Sequence, residues 1–359
     1  IRFIYMSLFN GYSVMPVSDP MSYHMSALKI LNSGYYEPIL HTRPILLPSI
    51  LATIYYFFPV DNLFYLGRIV TVLLSALSVG LVYLICPKEK IGNSNSFILS
   101  LIVCFYPPSI YYAGYILTEN LAVLLLLIIS LIFKKIFYSK KNNFYLFGLL
   151  GVLFGLLTLT RSSFLLLPFF IIFVSIFLSF FKIKLLTFKN FLIIILLYSL
   201  TLMPWTLRNY YKHDTFMPTT SRLGYMLFLS NNDFSSDMIL SGGYDKTSYF
   251  DEVLSNSKDL PISEQSNFLL KKALEEISQN KIAFTKTLVN RIKNSLSYRP
   301  NPYKYDQTMN DRIMFFLWIP ILFLSIPLFF RKMEKIEITF LIFIIYVVAS
   351  HLPFWGYPR

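Results

Sequence analysis

The stretch from Thr118 to Lys135, TENLAVLLLLIISLIFKK, starts next to an acid, ends on a lysine pair and carries no charge between them. An apolar run of this kind without period-2 alternation forms a helix, because in hydrocarbon every backbone N–H and C=O has to be satisfied within its own segment. Besides this run at 119–133, similar runs fall at 66–86, 96–116, 144–160, 164–181, 190–207, 313–330 and 336–355, with a partial one at 1–12. Most approach the roughly 20 residues needed to cross a hydrocarbon core about 30 Å thick. The expected fold class is therefore an all-α polytopic membrane bundle of eight spans plus the partial one. Ile1-Arg2-Phe3-Ile4-Tyr5 reads as the tail of a longer apolar segment, so the chain is expected to be cut at its start.

Composition agrees. The 359 residues are 55% hydrophobic and 14% charged, with 32 Lys and Arg against 19 Asp and Glu, a net charge of +13. Soluble domains carry about 25% charged residues, so an ordinary soluble enzyme is excluded. Cys86 ends one apolar run and Cys104 lies within the next, which excludes a disulfide framework. The chain has no internal repeat and no low-complexity tract.

The short loops set the orientation. Lys88 and Lys90, Lys134, Lys135, Lys140 and Lys141, Lys182, Lys184 and Lys189, and Arg331, Lys332 and Lys335 all fall on one side, while the alternate turns at 107–118 and 161–163 hold only Arg161. By the positive-inside rule the lysine loops are cytoplasmic, and the excess of positive charge reflects topology rather than nucleic-acid binding. The chain divides into a membrane core at 1–207 with a first outer loop at 13–65, an extracytoplasmic region at 208–311, and C-terminal spans at 312–359. Segments 21–33 and 45–58 of the outer loop are expected to be interfacial helices. The outer region carries a helical pair: Pro261 and Ser263 precede Leu270, Ala273, Leu274 and Ile277, and after Asn280 come Leu288, Val289, Ile292 and Leu296. This pair is expected to dock on the outer surface of the bundle.

Given that topology, the ionisable residues at span ends gather on the outer side: Asp19, Arg43, Arg68, Glu119, Arg161, Arg208, Asp311, Arg312, His351 and Arg359. Charges in hydrocarbon cost several kcal/mol unless solvated or paired, so a shared cavity or interface water is expected for them. Complete sidedness argues against a transporter, whose coupling groups lie near mid-membrane on broken helices within repeated halves. Asp19 and Glu119 with arginines around them suit deprotonation of a hydroxyl while cations hold a phosphate. A lipid-linked phosphosugar meets those needs; a lipid phosphatase, an acyltransferase or a polymerase meets them too.

Local wording narrows the choice. Ser18-Asp19-Pro20-Met21-Ser22-Tyr23-His24, Ala27, Gly34-Tyr35-Tyr36, Arg43-Pro44 and Pro48 resemble the first outer loop of the C-type (GT-C) membrane glycosyltransferases. The branch they resemble is family 39, the protein mannosyltransferase and aminoarabinose transferase group. Gly67-Arg68, Tyr106-Pro107-Pro108, Leu117-Thr118-Glu119-Asn120, Gly151 to Arg161, Pro204-Trp205-Thr206-Leu207-Arg208-Asn209 and Ser230-Asn231-Asn232 extend the likeness in order and spacing, and Tyr357-Pro358-Arg359 resembles the start of a family segment that continues.

The resemblance implies transfer of a sugar, with inversion, from a polyprenyl-phosphate carrier to an acceptor on the extracytoplasmic face. It implies that Asp19 is the catalytic base or orients the acceptor, that Glu119 supports the acceptor or a metal, and that Arg43 approaches the donor phosphate. Arg208, Arg161 and Arg359 are further candidates for the phosphate, and Tyr23, His24, Tyr112 and Asn209 for contact with sugar or acceptor. From the residues alone, Glu119 also reads as a helix N-terminal acid with Thr118 as its cap. Family members often carry an acid where this chain has Pro20 or Thr42, and His24, His41, His213 and His351 lack metal spacing, so no cofactor is assigned and a divalent metal ion stays open. Most of the 26 Tyr and 35 Phe are expected in interfacial belts or facing lipid, with Tyr111, Tyr112 and Tyr115 beside Glu119 set apart from them. The expected partners are a polyprenyl-phosphate-linked sugar, membrane lipids and an acceptor that is lipid, protein or cell-wall glycan, with no nucleic acid. Rich Lys, Asn and Ile usage suits an AT-rich bacterial genome, hence a bacterial inner membrane. A lipid-linked glycan translocase and an O-antigen-type polymerase are the competing readings.

Overall fold

The computed structural model describes residues 1–9, 19–33, 43–139, 144–183, 185–297 and 333–354, which form helices and connecting segments, with no strand among them. In chain order the helices are α1 (Arg2–Phe9), α2 (Asp19–Ser33), α3 (Leu46–Phe57), α4 (Leu63–Ile85), α5 (Lys88–Phe105), α6 (Pro107–Ala113), α7 (Thr118–Tyr138), α8 (Phe144–Thr160), α9 (Leu167–Phe180), α10 (Phe188–His213), α11 (Arg222–Ser230), α12 (Asp237–Leu240), α13 (Ser248–Asn256), α14 (Ile262–Gln279), α15 (Lys281–Ser295) and α16 (Lys335–His351). They form two compact units, one of Ile1–Leu207 with Pro218–Thr220, the other of Arg208–Met217 and the chain from Ser221 onward.

Fewer helices have the length of a span than hydropathy leads one to expect. Four of the described segments are long and apolar enough to cross a membrane: α4, α7, α10 and Ser162–Phe180, where a 3-10 turn at Ser162–Phe164 leads into α9. A fifth counts if Gly92–Phe105 and α6, bent 56° from each other, are one broken span. Helices α8 and α16 are 17 residues each, about 25 Å at 1.5 Å per residue and so a turn or so short of the hydrocarbon core. The run at 313–330 lies outside the described residues, and α10 continues to His213, beyond the expected end at 207.

In the first unit, α4 packs along α7, α7 against α8, and α2 against α3. The stripe of α4 that faces inward is polar, with Arg68, Thr71, Ser75 and Ser78 buried, while Leu73, Leu77 and Leu84 are exposed. This inverts the pattern of a water-facing helix and suits one whose outer surface meets lipid. Close approach of α8 to α10 depends on Gly151, where an added Cβ would run into the carbonyl oxygen of Ile194.

The bend between α5 and α6 follows from two missing donors. Pro107 and Pro108 lack the N–H groups that would bond the carbonyls of Val103 and Cys104 in a continuous helix. Buried Arg2 replaces them: it donates through Nη2 to Val103 O (3.3 Å) and Ser109 Oγ (2.8 Å), through Nη1 to Cys104 O (3.1 Å), and through Nε to Ser75 Oγ (2.8 Å). A cation at this site also meets the negative end of the α5 dipole.

In the second unit, α11 crosses α14 closely at Gly224, next to a core of Phe228, Leu229, Phe250, Val253, Leu269 and Ala273. Fully buried Arg291 on α15 donates to the carbonyls of Ser230, Gly242, Leu352 and Pro353 and to Asn231 Oδ1, fastening α15 to the ends of α11 and α16.

Candidate functional site

In the first unit, two acids lie in the opening turns of helices, where the partial positive charge of the N-terminus favours them: Asp19 on α2 and Glu119 on α7. Each meets an arginine from a connecting segment. Arg43 Nη2 lies 2.8 Å from Asp19 Oδ1, and Arg161 Nη1 lies 2.8 Å from Glu119 Oε1.

Tyr23 joins the two pairs. Asp19, Ser22 and Tyr23 share one face of α2 through i, i+3, i+4 spacing. Arg43 donates from Nε to Ser22 Oγ at 3.0 Å, and its guanidinium lies over the Tyr23 ring, 5.4 Å from the centroid. The buried Tyr23 hydroxyl lies beside Thr118. Burial pushes the Tyr23 pKa above its ordinary value, and Thr118, Arg43 and Arg161 offset this only in part, so the phenol stays neutral. For Arg161, burial works against the charged form, but Glu119 outweighs it, with smaller help from Tyr23 and Asp19, and the pKa rises. Asp19, Arg43, Tyr23, Thr118, Glu119 and Arg161 thus form one electrostatic network, two ion pairs with the neutral Tyr23 and Thr118 between them.

Exposure within it is uneven. The Asp19 side chain is 47% exposed while its partner Arg43 is 16% exposed, so the carboxylate is the accessible member of that pair. Thr118 is no cap: the N-cap position of α7 is Leu117, without a side-chain cap, and the Thr118 hydroxyl points to Glu119 Oε2 (3.4 Å) and Tyr23. Thr118 and Ser22 are members of the network that sequence reasoning missed; their spacing from Glu119 and Asp19 was the available signal.

The remaining candidates lie elsewhere. His24 is buried between α2 and α3, its Nδ1 3.1 Å from Tyr55 Oη and its ring edge-on to Phe64; burial lowers its pKa. Tyr112 is exposed in a cluster with Tyr111 and Tyr115, and its carbonyl accepts from Asn120 Nδ2 at 3.0 Å. In the second unit, Arg208 and Asn209 are inside α10 rather than after it. Arg208 Nη1 donates to Asn209 Oδ1 (3.0 Å), and buried Asn209 Nδ2 donates to Met217 O (2.8 Å), holding the segment that leaves the helix. His213 lies 3.4 Å from Arg208 Nη1, and His351 Nδ1 lies 2.7 Å from Val347 O. Arg359, Asp311, Arg312 and His41 lie outside the described residues. Among the described residues no three His, Cys, Asp or Glu side chains come together to hold a metal ion.

Chemically, the network offers an accessible carboxylate beside a guanidinium on a neutral aromatic floor. A second pair stands behind it. Compared with protein-family models, with curated proteins and with solved structures, the chain matches none of them.

Proposed function

We propose that this chain is a membrane glycosyltransferase of C-type architecture, which moves a sugar from a polyprenyl phosphate to an acceptor on the extracytoplasmic face by inverting single displacement. The observation that carries the reading is the convergence of Asp19, Arg43, Tyr23, Glu119 and Arg161 into one network built from helix N-termini and connecting segments. Glu119 lies at the end of α7 opposite the Lys134–Lys135 pair, the end that the positive-inside rule puts outside.

In the reaction, an acceptor hydroxyl attacks the anomeric carbon from the side opposite the phosphate. The new C–O bond forms as the bond to the phosphate oxygen breaks, the polyprenyl phosphate leaves with the bonding electrons, and the acceptor proton passes to Asp19. Inversion follows from one displacement. Arg43 stabilises the charge growing on the departing phosphate, where a guanidinium matches two oxygens at once. Because Asp19 holds that guanidinium in the resting protein, an arriving phosphate competes with the carboxylate for it and releases Asp19 beside the acceptor. Donor binding thereby readies the base. The Arg161–Glu119 pair and the Tyr23 ring fix the floor against which Arg43 rests.

The test is product chemistry. Purified protein in detergent, given polyprenyl-phosphate-linked sugars and an extract of candidate acceptors, should release free polyprenyl phosphate in step with a glycosylated product. Movement of intact donor across a proteoliposome membrane without such release would assign the chain to the translocases instead.

A further inference from the structure

Two long helices of the second unit present opposite kinds of surface. The exposed positions of α14 are Glu264, Asn267, Lys271, Leu274, Ser278 and Gln279, polar at all but one place, as on a helix that faces water. The exposed positions of α15 and its C-cap are Lys281, Ile282, Thr285, Lys286, Val289, Ile292, Lys293 and Leu296. At 3.6 residues per turn these eight fall within an arc of about 140°. Ile292, Thr285, Leu296, Val289 and Ile282 run across its middle, with Lys281 at one edge and Lys293 and Lys286 at the other. Ile282 is 89% exposed and Leu296 56%, while Thr287 and Arg291 on the opposite face are fully buried. No acid occurs anywhere in the helix, KIAFTKTLVNRIKNS.

A strip that is aliphatic but for Thr285, flanked by Lys281 on one side and by Lys286 and Lys293 on the other, is the surface of a helix lying in a lipid headgroup layer. The apolar middle enters the acyl boundary, the lysine stems run alongside it, and the ammonium groups reach lipid phosphates. We infer that α15 is a monotopic membrane-surface helix that seats on the anionic face of the bilayer through Ile282, Val289, Ile292 and Leu296, with Lys281, Lys286 and Lys293 contacting anionic headgroups. The absence of acids supplies the charge complementarity, and the polar face of α14 is the internal contrast.

The experiment uses the full chain in lipid nanodiscs, in a Cys86→Ser, Cys104→Ser background, with a fluorophore at Val289→Cys or, for contrast, at Leu274→Cys. Brominated phospholipids report lipid contact and aqueous iodide reports water. The expected result is that the label on the Val289→Cys protein is quenched by brominated lipid and shielded from iodide, with the reverse for Leu274→Cys. Lipid quenching at Val289→Cys should be stronger in discs containing phosphatidylglycerol than in phosphatidylcholine alone, and Lys281→Gln, Lys286→Gln, Lys293→Gln together should remove that difference. Iodide quenching at Val289→Cys would overturn the inference by showing a face in water. Protection from both quenchers would overturn it by showing a face covered by protein. A phosphatidylglycerol effect that survives the triple lysine substitution would refute the headgroup contacts.

Discussion

Arg161→Met removes the cation 2.8 Å from Glu119 Oε1 and leaves that carboxylate partly buried. Two unit charges at that separation attract by about 6 kcal/mol at an effective dielectric constant near 20. Desolvation of both groups takes back much of this, and stripping one partner from a buried pair typically costs about 3–5 kcal/mol. Glu119 keeps some contact with solvent, so the expected loss for Arg161→Met is smaller, about 2–3 kcal/mol. In thermal unfolding of the detergent-solubilised protein this corresponds to a Tm lower by about 3–6 °C. Glu119→Gln should destabilise as well, and the double variant should lose less than the sum of the two, with a coupling energy of about 1.5–3 kcal/mol. Lys272 and Glu275 supply the control: they form an ion pair at the same 2.8 Å, but more exposed and within one helix. Lys272→Gln should therefore cost no more than about 0.5 kcal/mol. If Arg161→Met proves as mild as Lys272→Gln, or the cycle with Glu119→Gln is additive, the partly buried pair does not hold the network and the reasoning fails.

Other consequences are as direct. Arg2→Met should cost about 3 kcal/mol by removing the side-chain donor to the carbonyls of Cys104 and Val103, the latter left with only the long bond from Tyr106 N–H, and should speed alkylation of Cys104; in a Pro107→Ala, Pro108→Ala background, where backbone N–H donors return, the penalty should shrink by at least about 1 kcal/mol, and an undiminished penalty would refute the capping role. Gly151→Ala should destabilise by about 1–3 kcal/mol through the Ile194 carbonyl. Gly148→Ala on the same helix, whose added Cβ would meet nothing closer than Leu197 Cγ at 3.9 Å, should be neutral or stabilise by up to about 1 kcal/mol, and equal effects in a Tm comparison would contradict the helix packing. Burial depresses the His24 pKa below that of an unfolded histidine, so the unfolded chain binds the proton first; stability is full above the unfolded pKa of about 6.5 and falls as pH drops through and below it. His24→Gln should flatten that fall between neutral and mildly acidic pH, and an unchanged pH profile of Tm would show that His24 takes no part in it.

What could be read in the sequence, and what could not, follows from the range of the forces involved. Helices at 21–33 and 45–58 were legible because short apolar runs bounded by turn residues are local signals, and α2 and α3 form there. The break inside 96–116 was not, since a hydropathy window averages Pro107 and Pro108 with their apolar neighbours and is blind to their missing donors. Which side chain would repair the break was beyond reach, because Arg2 is over 100 residues away. Sidedness could put Asp19, Arg43, Glu119 and Arg161 at one end of the bundle, but pairing depends on loop paths, and Arg161, expected near a phosphate, is paired with Glu119. Periodicity likewise grouped Leu288, Val289, Ile292 and Leu296 as an apolar set without saying what covers it; Leu288 turns partly inward while the other three are exposed. Asn209 fell in the outer region because the apolar run stops at 207, yet α10 continues to His213 through polar residues.

The central claim is that the accessible carboxylate of Asp19 accepts the proton of the attacking hydroxyl. Its most direct measurement is the turnover of Asp19→Asn, with purified wild type and variant given the same polyprenyl-phosphate sugar and acceptor, and product counted by mass spectrometry. The account predicts that transfer falls by about 10²–10⁴-fold while donor binding persists through Arg43. Turnover within a few-fold of wild type would contradict it.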